Sequence, residues 1–589
     1  MEGENIEKNE KRFHGIPVAQ GIARFSALVH YNAEEEIVPR PIAPEELDSE
    51  IARFEMALIA TRVELLEIQQ RIAVAIGSHD ASIFDAHLLV VEDRTLIDEV
   101  LRGLDRDHFN VEYIFQQVTG KYCRTLEAID DPYLRERVVD IEDVSLRVLR
   151  HLLGKAPLNP AEHDAPHIVV AHNLTPSDTA QLNRELVRGF VTEIGSKTSH
   201  TAIMARSLEI PAIVGMQGIC QQIQIGDDLL IDGYNGLLIL NPSRETLNEY
   251  VRIEREKESV AARLRLIRET ASTTRDGRHI VLSANLDLPE DLPDVAASGA
   301  EGIGLYRTEF LYLNRTDPPS EDEQYEHYHK AALATLPHSV IIRTLDIGGD
   351  KIAASLDIYK ELNPFLGCRA IRFCLENTDI FKTQLRAILR AATTGNIRLM
   401  YPMISGLEEL KQANAILEEC KQELGGANIP FNPWIEVGVM IETPSAVLVA
   451  DHLARHARFF SIGTNDLIQY AIAVDRLNDR IAHLYSPTHP AILRMIKMVV
   501  DAARNQGIWT GVCGEMAADI FLTPLLIGLG VEEFSATSML VPSVKKAVQS
   551  LDSASCVALV AEALTLDDSG LILERTRAMA KENYGDLLI

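Results

Sequence analysis

At 589 residues the chain exceeds what one hydrophobic core can organise, so roughly three or four domains are expected. A formal net charge of −29 argues against nucleic acid or an anionic membrane as a partner and favours basic proteins, although local arginines can still serve an anionic substrate. No stretch approaches a membrane span, Met1–Asn5 has no signal-peptide character, and the seven cysteines are scattered without a CxxC pair, so a cytoplasmic protein with reduced thiols and no membrane insertion is expected.

After a charged tail, Gly15–Ala23 reads as strand. From about Ala43 to Leu153 the pattern turns helical: Glu45, Glu46 and Asp48 follow Pro44 at a helix start, and Ile51, Phe54, Met56, Ala57 and Ile59 recur at helical spacing. Between Glu45 and Arg150 there are 23 acidic against 12 basic residues, which suits either a docking surface for a basic partner or the solvated face of a helical bundle. Strand signals resume at Ile168–Ala171, Gly189–Val191 and Pro211–Val214, followed by a hairpin around Gly233–Gly236. The helical block, 43–153, therefore reads as an insertion into one α/β domain built from 1–42 and 154–242. A polar helix from Arg244 to Arg268 fits a linker over 243–270, ahead of a third region at 271–589.

Within the α/β domain, Gly195-Ser196-Lys197-Thr198-Ser199-His200-Thr201 leads through Ala202-Ile203-Met204-Ala205 to Arg206 and places His200 on a strand-to-helix turn. A neutral imidazole there could accept a phosphoryl group, with the helix N-terminus and Arg206 offsetting its charge. A surface histidine in a capped turn fits the same residues.

In 271–589, strand-like runs end near Asn285, Arg307, Arg343, Tyr401, Glu442, Gly463, Cys513 and Ala536, each followed by a helical segment. Eight such units predict a (β/α)8 barrel with its site at the C-terminal ends of the strands. Arg307, Arg343, Glu442, Asn465, Asp466 and Cys513 fall at that end. Arginines on different strands clamp a carboxylate-plus-phosphate anion, and Glu442 with Asp466 offers the hard oxygen ligands that Mg²⁺ prefers. Cys513, between Gly511 and Gly514, could protonate a carbanion; a core-filling thiol is the other reading.

At these residues the chain resembles enzyme I of the bacterial phosphoenolpyruvate:sugar phosphotransferase system. The likeness runs from Gly15 to the C-terminus and rests on Gly195 to Arg206, on Asp466-Leu467-Ile468-Gln469-Tyr470 after Gly463-Thr464-Asn465, and on Arg307-Thr308-Glu309-Phe310-Leu311. Arg343 to Lys351, Asn363 to Gly367, Arg369-Ala370-Ile371-Arg372 and Gly514-Glu515-Met516-Ala517 extend it. The resemblance implies autophosphorylation of His200 by phosphoenolpyruvate, dependence on Mg²⁺, and onward transfer to a histidine of the small phosphocarrier HPr. A homodimer through the barrel, with HPr docking on the inserted helical subdomain, is implied as well. By the same resemblance Arg307, Arg343 and Arg476 would hold phosphate and Asn465 would add a hydrogen bond. Arg369 and Lys351 would line the pocket, Glu442 and Asp466 would bind Mg²⁺, and Cys513 would be the proton donor.

Two departures stand out. The family's Gly-Gly-Arg before Thr-Ser-His is Gly195-Ser196-Lys197 here, and Cys368 stands where tryptophan is common. Because the substrate site and the HPr surface fall in different domains, one histidine has to visit both, which implies a hinged, swivelling domain. A pyruvate-phosphate dikinase or phosphoenolpyruvate synthase would need an ATP-binding domain ahead of the histidine and is not expected here; the alternative is an enzyme I paralogue feeding a regulatory phosphorelay, although such proteins commonly carry an extra N-terminal sensor. A catalytically dead scaffold is disfavoured by the presence of His200, Cys513 and the arginines.

Overall fold

A computed structural model describes residues 10–30, 37–75, 83–127, 132–154, 165–174, 186–195, 205, 210–312, 315, 317–348, 363–476, 478 and 481–588. The chain divides into two compact units, Met1–Glu254 and Arg255–Ile589, and the division falls inside the helix Arg244–Leu266.

The first unit contains an eight-stranded sheet in the order β1-β8-β7-β3-β4-β5-β6-β2. Its strands are β1 (Lys11–His14), β2 (Ile16–Ala19), β3 (Ile22–His30), β4 (His167–Ala171), β5 (Val187–Thr192), β6 (Ala212–Val214), β7 (Asp228–Asp232) and β8 (Leu237–Leu240). The strand expected at Gly15–Ala23 is two strands, β2 and the start of β3, and the charged segment before it forms a further one. That extra strand, β1, is held by antiparallel pairing with β8 rather than by apolar alternation, from Lys11 opposite Leu240 to His14 opposite Leu237. Alternate side chains of the sheet supply two cores: Ile168, Val170, Val191, Leu229 and Ile231 pack in one, Val169, Ala171, Val187, Phe190 and Ala212 in the other.

Between β3 and β4, which pair in parallel from Ser26 opposite His167 onward, lie the helices Leu47–Ala75, Ile83–Val91, Arg94–Asp107, Val111–Glu127 and Pro132–Leu152. They enclose their own core of Phe54, Leu65, Phe84, Val100, Leu104, Phe115 and Val148. The block's two ends are tied together through Arg53, which pairs with Glu112 and with Glu50 at 2.6 Å and donates to the Leu152 carbonyl at 3.0 Å. Among the described residues, no helix is long and apolar enough to cross a membrane.

The second unit contains the closed parallel barrel. Its strands are β9 (Val281–Leu286), β10 (Gly302–Tyr306), β11 (Ser339–Arg343), β12 (Ile397–Tyr401), β13 (Glu436–Ile441), β14 (Phe459–Ile462), β15 (Trp509–Val512) and β16 (Glu533–Thr537). Strand β16 pairs back onto β9, from Glu533 opposite Val281 to Thr537 opposite Asn285, which closes the ring. Leu305, Ile341, Met400, Met440, Phe459 and Cys513 fill its interior, and the surrounding helices bury the outward-facing residues in one continuous core. Every strand ends within one residue of its expected position, so the charged residues that follow share one mouth.

Candidate active site

Eight of the ten sequence-predicted site residues line one cavity of ≈160 Å³ at the C-terminal mouth of the barrel: Arg307, Arg343, Arg369, Glu442, Asn465, Asp466, Arg476 and Cys513. His200 and Lys351 lie outside the described residues. A wider cleft of ≈630 Å³ adjoins the cavity and shares Arg307, Asn465, Cys513 and Gly514 with it.

The strand ends dictate this convergence. Arg343 closes β11, Glu442 follows β13, Cys513 follows β15, and Asn465 and Asp466 fall in the first turn of the helix Thr464–Ile472 after β14. Two glycines permit the approach. A Cβ at Gly463 would lie 2.6 Å from Glu442 Oε2, and one at Gly514 only 2.0 Å from Thr464 Oγ1, so neither position admits a side chain unless its neighbours move.

The basic groups are braced by carboxylates. Arg343 is buried, pairs with Glu309 and lies 3.0 Å from Asp346, while its Nη1 approaches Met440 Sδ at 3.8 Å. Arg369, equally buried, meets Asp346 at 2.9 Å and Asp466 at 3.4 Å and donates to the Tyr470 hydroxyl at 3.3 Å. Burial alone would lower both guanidinium pKa values, yet the neighbouring carboxylates outweigh it and hold them above the ordinary arginine value. In each, Nε is buried without a hydrogen-bond partner. Arg307 is more open and donates to Asp287 at 2.9 Å. Asn465 is oriented at both ends of its amide by Glu515, whose backbone N–H donates to Oδ1 at 2.9 Å and whose Oε1 accepts from Nδ2 at 3.0 Å.

Glu442 is the unusual acid. It is buried, its Oε1 accepts the Met403 N–H at 2.6 Å, and its pKa is pushed up to about 8, first by burial and then by the charges of Asp466 and Asp346; Arg343 and Arg369 oppose the rise. A carboxylate destabilised by neighbouring negative charge is suited to a cation. Glu442 and Asp466 supply two hard oxygen donors on one cavity wall, and among the described residues no cluster of three or more His, Cys, Asp and Glu side chains forms a metal cage. That donor set fits Mg²⁺, which commonly takes one or two carboxylates and completes its shell with water and substrate oxygens.

Cys513 lies on the apolar side of the same cavity, with Sγ 3.8 Å from the Ile462 carbonyl. Burial pushes its thiol up to about 11, against the lowering influence of the Ser461 hydroxyl, so the group carries its proton at neutral pH and can give it up only to a strong base. In the other unit, the chain leaving β5 is fixed just before the His200 run. Thr192 Oγ1 donates to the Ile194 carbonyl at 2.7 Å, and the Glu193 carboxylate accepts the Cys220 N–H at 3.0 Å and meets His172 at 2.5 Å.

Asp346, Glu309, Tyr470 and Glu515 were not among the sequence-predicted site residues, although they orient the residues that were. All four fall within the runs that carry the family resemblance, which is the sequence signal that could have found them; their part in orienting the site emerges only from the distances.

Three family models match the chain in succession: the N-terminal domain of PEP-utilising enzymes over residues 14–137, their mobile domain over 163–236 and their PEP-binding domain over 261–553. A phosphoenolpyruvate-protein phosphotransferase of Listeria innocua is 44% identical over 564 residues, covering 96% of this chain and 98% of that protein. The proteins of the same name from Geobacillus stearothermophilus and Bacillus subtilis are each 46% identical, over 533 and 528 residues, covering 90% and 89% of this chain and 92% of each relative.

Proposed function

Since the chain belongs to the phosphoenolpyruvate-protein phosphotransferases, we propose that it moves the phosphoryl group of phosphoenolpyruvate to its own His200 and then to a histidine of an HPr-type phosphocarrier. This is the entry step of sugar uptake by the phosphotransferase system. The observation that carries the reading is the gathering of basic groups, three carboxyl side chains (Asp346, Glu442 and Asp466) and the Cys513 thiol in one small cavity at the barrel mouth.

In this reading Arg307, Arg343 and Arg476 hold the phosphate, Asn465 adds a hydrogen bond, and Arg369 and Lys351 border the substrate. Glu442 and Asp466 would hold Mg²⁺, which when bound offsets charge on the phosphoryl oxygens. An imidazole nitrogen of His200 attacks phosphorus in line; the P–O bond to the enol oxygen breaks as the N–P bond forms, and the arginines stabilise the charge. The departing enolate takes the proton of Cys513 at C3 to give pyruvate, and the thiolate is reprotonated from solvent.

The acidic helical block is the proposed HPr-docking surface, and the barrel the proposed dimer interface.

Incubation with ³²P-labelled phosphoenolpyruvate and Mg²⁺ should place acid-labile, base-stable label on the parent protein and none on His200→Ala, and adding HPr should discharge it. Label retained by His200→Ala would overturn the assignment, and label that HPr leaves in place would remove HPr as the acceptor.

A further inference from the structure

The barrel has a second mouth. A cavity of ≈510 Å³ opens at the N-terminal ends of its strands, among Glu301, Ser339, Asn396, Arg398, Trp434 and Glu436. Glu301 immediately precedes β10, Ser339 and Glu436 begin β11 and β13, and Arg398 is the second residue of β12, so this cavity faces away from the catalytic one.

We infer that this cavity is a binding site for a small organic cation, an amine or guanidinium compound, held against the indole of Trp434. Trp434 is 88% exposed, follows Pro433, and its backbone N–H donates to Asn432 Oδ1 at 2.9 Å. An indole held in water on a cavity wall presents a π-face of the kind that binds cations. The charges around it select the sign. Arg398 is already engaged, with Glu436 at 2.8 Å, with Ser339 Oγ at 3.2 Å and over the Trp509 ring at 5.2 Å. Glu301 Oε2 meets His279 at 2.9 Å, whereas its Oε1 is buried with no hydrogen-bond partner. His338 also borders the cavity. Two lining carboxylates, Glu301 and Glu436, against one committed guanidinium and His338 favour a cation over a phosphate or carboxylate ligand.

The chain supplies its own reporter. It has two tryptophans; Trp434 borders this cavity, and Trp509 carries the Arg398 that does. Choline and agmatine are suitable probes for quaternary ammonium and for guanidinium with primary amine, and 3,3-dimethylbutan-1-ol is the uncharged isostere of choline. Either cation should give a saturable change in tryptophan fluorescence at millimolar concentration, and the uncharged isostere should bind at least tenfold more weakly. By calorimetry, Trp434→Ala should weaken binding of that cation at least tenfold and Trp434→Phe should restore most of it, while phosphoryl acceptance from phosphoenolpyruvate stays at the parental level. The inference is overturned if neither cation binds saturably, if the uncharged isostere binds equally well, or if Trp434→Ala binds like the parent.

Discussion

Replacing Glu442 with glutamine should remove a pH dependence from the stability of the barrel unit. In the folded protein this carboxyl titrates near 8 instead of 4.5. Between those values the native state keeps a proton that the unfolded chain has released. Its contribution to stability is therefore fully present below 4.5, declines as pH rises, and levels off above 8. The interval corresponds to on the order of 5 kcal/mol at full expression. Glutamine cannot ionise, yet its amide oxygen can still accept the Met403 N–H that Glu442 takes at 2.6 Å. The parent should thus lose several kcal/mol relative to Glu442→Gln across this window and become the less stable of the two at its alkaline end. Urea unfolding in the presence of a chelator, followed by the fluorescence of Trp434 and Trp509, measures the difference directly. Mg²⁺ favours the ionised carboxylate and should restore the parent at alkaline pH without comparable benefit to the variant. Two stability curves that run parallel across the window would refute the reasoning.

Asp346→Asn removes the carboxylate shared by Arg343 and Arg369, and should cost about 3–5 kcal/mol as buried charges lose a partner; thermal unfolding and the KM for phosphoenolpyruvate should both respond, and an unchanged Tm would count against the bracing role. Cys513→Ser should still bind phosphoenolpyruvate but fail to protonate C3, because a hydroxyl is a far weaker acid than the thiol; solvent-deuterium incorporation into pyruvate at the parental rate would return Cys513 to a filler. Transfer to HPr should slow with rising salt more than autophosphorylation does, if the acidic helices form the docking face; equal slopes for the two half-reactions would reduce that charge to a solvated surface.

The barrel was legible because a parallel strand buried on both faces is a short apolar run, and the first charged residue after it marks the strand end. Val340-Ile341-Ile342-Arg343 and Val439-Met440-Ile441-Glu442 are such runs, and both end where expected. The lysine and arginine in β1 hid a strand that exists through its partner β8. The placement of Tyr470 was illegible for a related reason: its hydroxyl donates to the Phe365 carbonyl at 2.6 Å across about a hundred residues of sequence. Contacts of that separation leave no periodicity to read.

The order of strands in the first sheet bears on how the chain can fold as it is made. Each of β1, β2 and β3 is hydrogen-bonded only to strands that come after the helical block: β1 to β8, β2 to β6, and β3 to β4 on one edge and β7 on the other. When β3 leaves the ribosome, both of its edges wait for partners that begin at His167 and Asp228. At typical elongation rates the nearer partner follows after roughly 7–30 s, time enough for the intervening helices to close their own core many times over. An apolar strand with two open edges is a template for wrong pairing throughout that interval. The segment from Lys11 to His30 is therefore one that a nascent-chain chaperone would protect, and an added charge there should help keep the unfinished protein from aggregating.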